Sequence, residues 1–73
     1  MTASRDFVGA EMWIDNNATL TRQNLSNGDI KLVLRSRKYP SLSREGYITP
    51  PEEPNDFPDL VVSLVADLKS AGG

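Results

Sequence analysis

Residues 26–35, SNGDIKLVLR, decide how this chain is read. Asn27-Gly28 supplies the positive φ angles that a tight reversal needs, and Ile30, Leu32 and Leu34 then alternate with Lys31, Val33 and Arg35, as on a strand with one buried face. A strand led by such a turn implies a partner strand, so the fold must contain an antiparallel sheet. Upstream, Glu11-Met12-Trp13-Ile14-Asp15 alternates in the same way and predicts a short strand entering a turn at Asn16-Asn17, while residues 1–5 are expected to fray. Downstream, Pro40, Gly46, Pro50, Pro51 and Pro54 break the chain. Only a short strand fits over residues 44–49, and residues 49–54, within a proline-rich loop region at 40–56, are expected to be extended with polyproline character.

From Phe57 the period changes. Phe57, Leu60, Val61, Leu64, Val65 and Leu68 share one helical face, with Asp59, Ser63, Asp67 and Ser70 opposite, which predicts an amphipathic helix over 57–70. Asp56 is placed to cap its start, Pro58 sits in the first turn where a missing N–H costs little, Asp59 and Lys69 suit the two ends of the helix dipole, and Gly72 stops it. The predicted class is α+β: a small antiparallel β-sheet packed by one C-terminal amphipathic α-helix, in a single domain spanning residues 1–73. The sheet is expected to contribute Met12 or Trp13, Leu20, Leu25, Ile30, Leu32 and Leu34 to the core.

Composition narrows the functions. A chain of 73 residues has room for one thin core, which argues against a deep catalytic cleft. It contains no cysteine and no histidine, so disulfides, thiolate metal sites and imidazole ligands are all excluded. Nucleophilic catalysis would need a serine or threonine activated by a lysine or carboxylate; the paired Glu52 and Glu53 lie in an extended segment that turns them apart. Asp15-Asn16-Asn17 lacks the later glycine and glutamate of a calcium loop, and Gly28 stands alone beside Asp29, which repels phosphate. No enzyme activity, cofactor or metal is expected. No stretch is long and apolar enough to span a membrane, and the start lacks the pattern of a secretory signal, so a cytoplasmic protein is expected.

The charge distribution is more informative. Residues 22–44 carry six bases and one acid, and residues 45–67 carry six acids and no base. Either the halves pair with each other in the fold, or they form two surfaces of opposite sign for two partner surfaces. In the second reading Arg35, Arg37, Lys38, Tyr39 and Arg44 form the preferred contact patch, because arginine and tyrosine are the usual anchors of protein interfaces; Tyr47 and the acidic Glu52 and Glu53 complete the candidate set. Reversing Arg37 and Lys38 is expected to spare the fold. Five or so bases on an acidic protein would touch nucleic acid only weakly.

Taken whole, from TASRDFVGAEMWIDNN through LRSRKYPSLSREGYITPPEEP to the last helix, the chain resembles the small early regulators with which lytic phages of Xanthomonas control host RNA polymerase. The resemblance extends over the whole chain in length and character and rests on no transferable motif. It implies a monomeric protein of the host bacterial cytoplasm that binds the β′ N-terminal region and the β flap of RNA polymerase. It further implies inhibition of initiation by σ displacement and promotion of antitermination, with nascent RNA as a secondary contact. A second resemblance comes from another class. WIDNNATLTRQNLSNGDIKLVLR is similar to the closing half of a ubiquitin-like domain, an adaptor or modifier, although the hairpin and helix that should precede it have only about ten residues to occupy and Gly72-Gly73 follow a helix.

Overall fold

The structure, a computed structural model, describes the backbone of residues 2–72 and the side chains of residues 6–72. The elements are α1 (Thr2–Asn17), β1 (Ala18–Asn24), β2 (Ile30–Ser36), β3 (Ser43–Ile48) and α2 (Asp56–Ser70). The strands form one antiparallel sheet in the order β1-β2-β3. The class is α+β, and α2 packs on the sheet, mainly against β3.

The hairpin read from residues 26–35 is present. The positive φ expected of the Asn27-Gly28 pair is taken by Gly28 alone, at +95°; Leu25 N–H donates to the Asp29 carbonyl at 2.8 Å, and Gly28 N–H to the Leu25 carbonyl at 3.0 Å. The Asn27 side-chain oxygen accepts the Asp29 N–H at 3.0 Å, so both residues of the turn do local work. Ile30 pairs with Asn24 and Ile48, Leu32 with Arg22 and Gly46, and Leu34 with Leu20 and Arg44. Successive residues face opposite ways, so these rows form the covered face, and Lys31, Val33 and Arg35 with their neighbours form the open one. Leu32 and Leu34 are fully buried.

Two expectations about the first twenty residues are corrected. Residues 11–15 are helical, inside α1, and the partner strand of the hairpin is β1, which follows α1 with no intervening loop. Asn16 and Asn17 therefore end a helix instead of turning a strand; their amides donate back to the Met12 and Trp13 carbonyls at 3.0 and 2.9 Å. The helix buries Ala10 and Ile14, with Phe7 half-buried, and leaves Met12 exposed. Leu25 is half-buried in the hairpin loop, outside the main core. The helical backbone takes up from Thr2, and the expected fraying of residues 1–5 lies outside the residues whose side chains are described. The segment that resembles a ubiquitin-like domain thus opens in a helix where that resemblance requires a strand.

The C-terminal helix forms on its predicted face, burying Val61, Leu64, Val65 and Leu68. Asn55 takes the N-cap position without a side-chain bond, while the Asp56 carboxylate accepts the Glu53 N–H at 2.8 Å and so fixes the approach to the helix. Gly72, at φ +96°, ends it. Residues 49–55 contain no helix or strand. The two helices run parallel: Phe7 meets Phe57 edge to face at 5.9 Å near their N-terminal ends, and Lys69 lies 5.7 Å from the Trp13 ring near their C-terminal ends.

Gly46 marks the closest approach of α2 to the sheet. A Cβ there would lie 2.5 Å from Leu60 Cδ1, so the helix sits where only a glycine strand position admits it. Gly46→Ala is expected to cost about 1–3 kcal/mol as Leu60 is displaced. Leu64→Ala, at the centre of the buried face, is expected to cost roughly 2–5 kcal/mol. Urea denaturation of the two variants measures both losses; an unchanged midpoint for Leu64→Ala contradicts the packing of α2.

Candidate functional site

The basic segment lies at the end of the sheet where β2 turns into β3. Ser36 is buried, and its hydroxyl accepts the Tyr39 N–H at 3.0 Å; Leu42 N–H donates to the Tyr39 carbonyl at 2.8 Å, and Ser36 N–H to the Leu42 carbonyl at 3.0 Å. Arg35 reaches across from the open face and donates to the Pro40 carbonyl at 2.8 Å. The turn is thereby fixed by its own backbone and projects Lys38 and Tyr39 outward. Tyr39 is 46% exposed, with the Lys38 ammonium 5.4 Å from its ring centroid. An aromatic ring with a cation over its face, on a rigid turn, is an arrangement that loses little side-chain freedom on contact.

Arg37 has a different task from the one its sequence position suggests. Its guanidinium donates to the Ile14 carbonyl at 3.2 Å and to the Asp15 carbonyl, and its backbone N–H donates to the Asn17 carbonyl at 3.1 Å. These are last-turn carbonyls of α1 that the helix cannot satisfy itself. A cation at the negative end of the helix dipole adds to the bonding. The expectation that reversing Arg37 spares the fold is therefore corrected: Arg37 is a helix cap supplied by the sheet.

The other candidates are dispersed. Arg44 pairs with Leu34 on the covered face, half-buried at the sheet edge, and donates to the neighbouring Ser43 carbonyl at 2.8 Å. Tyr47 is 53% exposed but pairs with Lys31, about 13 Å from Arg35 along the strand, and donates to Glu45 at 3.4 Å. Glu52 and Glu53 lie before α2, and Glu52 reaches Arg22, about 13 Å along β1 from the Ala18–Ser36 row that leads into the basic turn. Glu52 pairs with Arg22 at 3.3 Å, and Glu45 with Lys31 at 3.5 Å. These are the ion pairs among the described residues, and each joins the basic half of the sequence to the acidic half. Self-pairing therefore accounts for part of the charge pattern, while Arg35, Lys38 and Arg44 make no ion pair among the described residues. Exposed pairs of this kind contribute about 0–1 kcal/mol.

The sequence reading overlooked a second feature. A groove of about 580 Å³ runs between α1 and β1, with Val8 and Met12 exposed along its rim. Reading residues 11–15 as a strand hid it, since Val8 and Met12 share a helical edge only at a spacing of four. No group of acidic residues that could hold a metal ion occurs among the described residues. Among the described residues, no helix is long and apolar enough to cross a membrane. No family model matches the chain, and no curated protein or solved structure matches it.

Arg37 and Lys38, adjacent in sequence, should therefore separate experimentally. Arg37→Glu is expected to lower stability by about 1–2 kcal/mol through lost carbonyl bonds and an acid at the wrong helix end. Lys38→Glu is expected to stay within about 0.5 kcal/mol of the parent. Chemical denaturation reads both, and equal effects at the two positions contradict the capping role.

Proposed function

We propose that this protein is a non-enzymatic regulator of bacterial RNA polymerase, acting in the host cytoplasm by stoichiometric occupation of the β′ N-terminal region and the β flap. The observation that carries this reading is the rigid turn presenting Lys38 and Tyr39, with Arg35 behind it, on a chain whose whole length resembles the phage regulators of that enzyme. A tyrosine held with cations is the side-chain set that anchors protein interfaces. The acidic segment around Glu52 and Glu53, held at Arg22 and apart from the basic turn, offers a contact of opposite sign. Two separated patches suit a bridge between two subunits.

A protein of this size without catalytic groups changes a large enzyme by covering a surface or biasing a mobile element. Displacement of σ from the flap and the β′ N-terminal region inhibits initiation. Residence near the RNA exit channel alters termination, with nascent RNA as a secondary contact of the basic turn.

Retention of polymerase from bacterial lysate at moderate salt tests the binding, and Lys38→Glu combined with Tyr39→Ala is expected to weaken it by about tenfold or more. Order of addition tests the mechanism. Inhibition should be strong when the protein meets holoenzyme before promoter engagement and weak on a formed open complex, while terminator readthrough should change even without σ. Equal inhibition at every stage, elongation included, points to a block of the active centre and overturns σ displacement.

A further inference from the structure

The groove between α1 and β1 has the parts of a peptide-binding site. Its floor is apolar, made by Phe7, Ile14, Leu20 and Phe57. One wall is the outer edge of α1, where Val8, Glu11, Met12 and Asp15 follow one another at helical spacing and are all exposed, Val8 at 53% and Met12 at 61%. The other wall is β1, which pairs with β2 on one side only through Thr19, Thr21 and Gln23 and so leaves the backbone N–H and C=O groups of Ala18, Leu20, Arg22 and Asn24 on a free edge. The volume lies within the range of sites that bind small molecules and peptide side chains, about 300–1,000 Å³.

We propose that this groove binds an extended peptide segment of a partner protein by adding it as a fourth strand to the free edge of β1. On the side facing α1, the segment carries a lysine or arginine followed at alternate positions by apolar residues. Main-chain pairing along a free edge supplies affinity in such a mode, and alternate side chains entering a groove supply specificity. The apolar positions meet Met12, Val8 and the floor near Phe57. The base is set by charge: Glu11 and Asp15 stand on the rim, and the one cation among the described lining residues, Arg37, is held by the Ile14 and Asp15 carbonyls at the end of α1 and keeps its charge there. Among the described lining residues the two carboxylates outnumber the one cation beside exposed apolar surface, which favours a basic and apolar strand over an acidic one. The outward side of the added strand would continue the polar open face of Thr19, Thr21 and Gln23. This site is separate from the Lys38–Tyr39 turn and does not rest on the polymerase reading.

The probes are capped heptapeptides in which threonine alternates with lysine, valine and leucine, in both chain directions, titrated against the intact isotope-labelled protein. Saturable shifts are expected at the free-edge amides of Leu20, Arg22 and Asn24 and at those of Val8 and Met12. Met12→Lys should weaken binding by about tenfold, since one apolar contact is lost and a like charge gained. Glutamate in place of the peptide lysine should weaken it similarly, and proline at the central peptide position should abolish it by removing ladder hydrogen bonds. If Met12→Lys disturbs the fold, Val8→Lys, one turn earlier on the same rim, takes its place. Failure to saturate at millimolar peptide, tolerance of the central proline, or unchanged affinity of the rim variant overturns the proposal. Concentration-dependent shifts of the same amides without peptide would assign the groove to a second copy of the chain and overturn it equally.

Discussion

The fold depends on how the end of α1 is satisfied. Helix passes into strand between Asn17 and Ala18 without a connecting loop, and Ala18 is already buried. A helix that ends in this way has no following residues free to cap its last carbonyls; Ile14 is buried, while Asp15 and Asn17 are exposed, so bonds from another element fix the direction in which the chain leaves the helix. The solution comes from the far end of β2, where Arg37 donates with both backbone and side chain. α1 is thereby tied to the strand that pairs with the strand it precedes. The hairpin register, which places Ala18 opposite Ser36, puts Arg37 within reach of the helix end. One guanidinium thus links helix, hairpin register and the start of the basic turn.

The parts of the fold legible in the sequence are those whose periodicity is clean. Ile30, Leu32 and Leu34 alternate against exposed or half-buried neighbours, and the α2 stripe from Phe57 to Leu68 is uninterrupted. β1 escaped notice because its inward positions are Ala18, Leu20 and Arg22, and an arginine in the apolar series breaks the alternation. The arginine is tolerated because Phe57 lies beneath it at 5.6 Å and Glu52 accepts its charge. Both partners are thirty or more positions later in the sequence, so nothing local announces them. α1 was obscured differently. Gly9 lowers its intrinsic helicity by about 1 kcal/mol, and the exposed Val8 and Met12 blur its apolar stripe. Its helicity is secured by packing on α2 and by the cap from Arg37, both of which are tertiary.

The candidate contact patch was legible as composition but not as geometry. Five residues read as one cluster divide among the open face (Arg35), a helix cap (Arg37), the turn (Lys38 and Tyr39) and the covered edge (Arg44). Strand alternation separates Arg35 from Arg44, because Leu34 and Arg44 share a row and Arg35 pairs with Ser43 on the opposite side. What sequence proximity joined, the pleat pulled apart. The turn itself is held by a buried serine, a residue type that carries no signal of its own in the sequence.

The parallel course of the two helices has an electrical consequence. Parallel helices add their dipoles, leaving partial positive charge at the Phe7–Phe57 end and partial negative charge at the Trp13–Lys69 end. Asp56 and Asp59 occupy the first end, Lys69 the second, and Arg37 caps α1 beside it. In α2 the side-chain charges are thus laid against the helix field, whereas α1 has no acid in its first turn and takes its cation from Arg37 of the neighbouring turn. The aligned helices consequently give the molecule a polar axis. In the field of a charged surface such a body feels a torque as well as a pull, so it turns before it touches, within a Debye length of about 8 Å at physiological ionic strength.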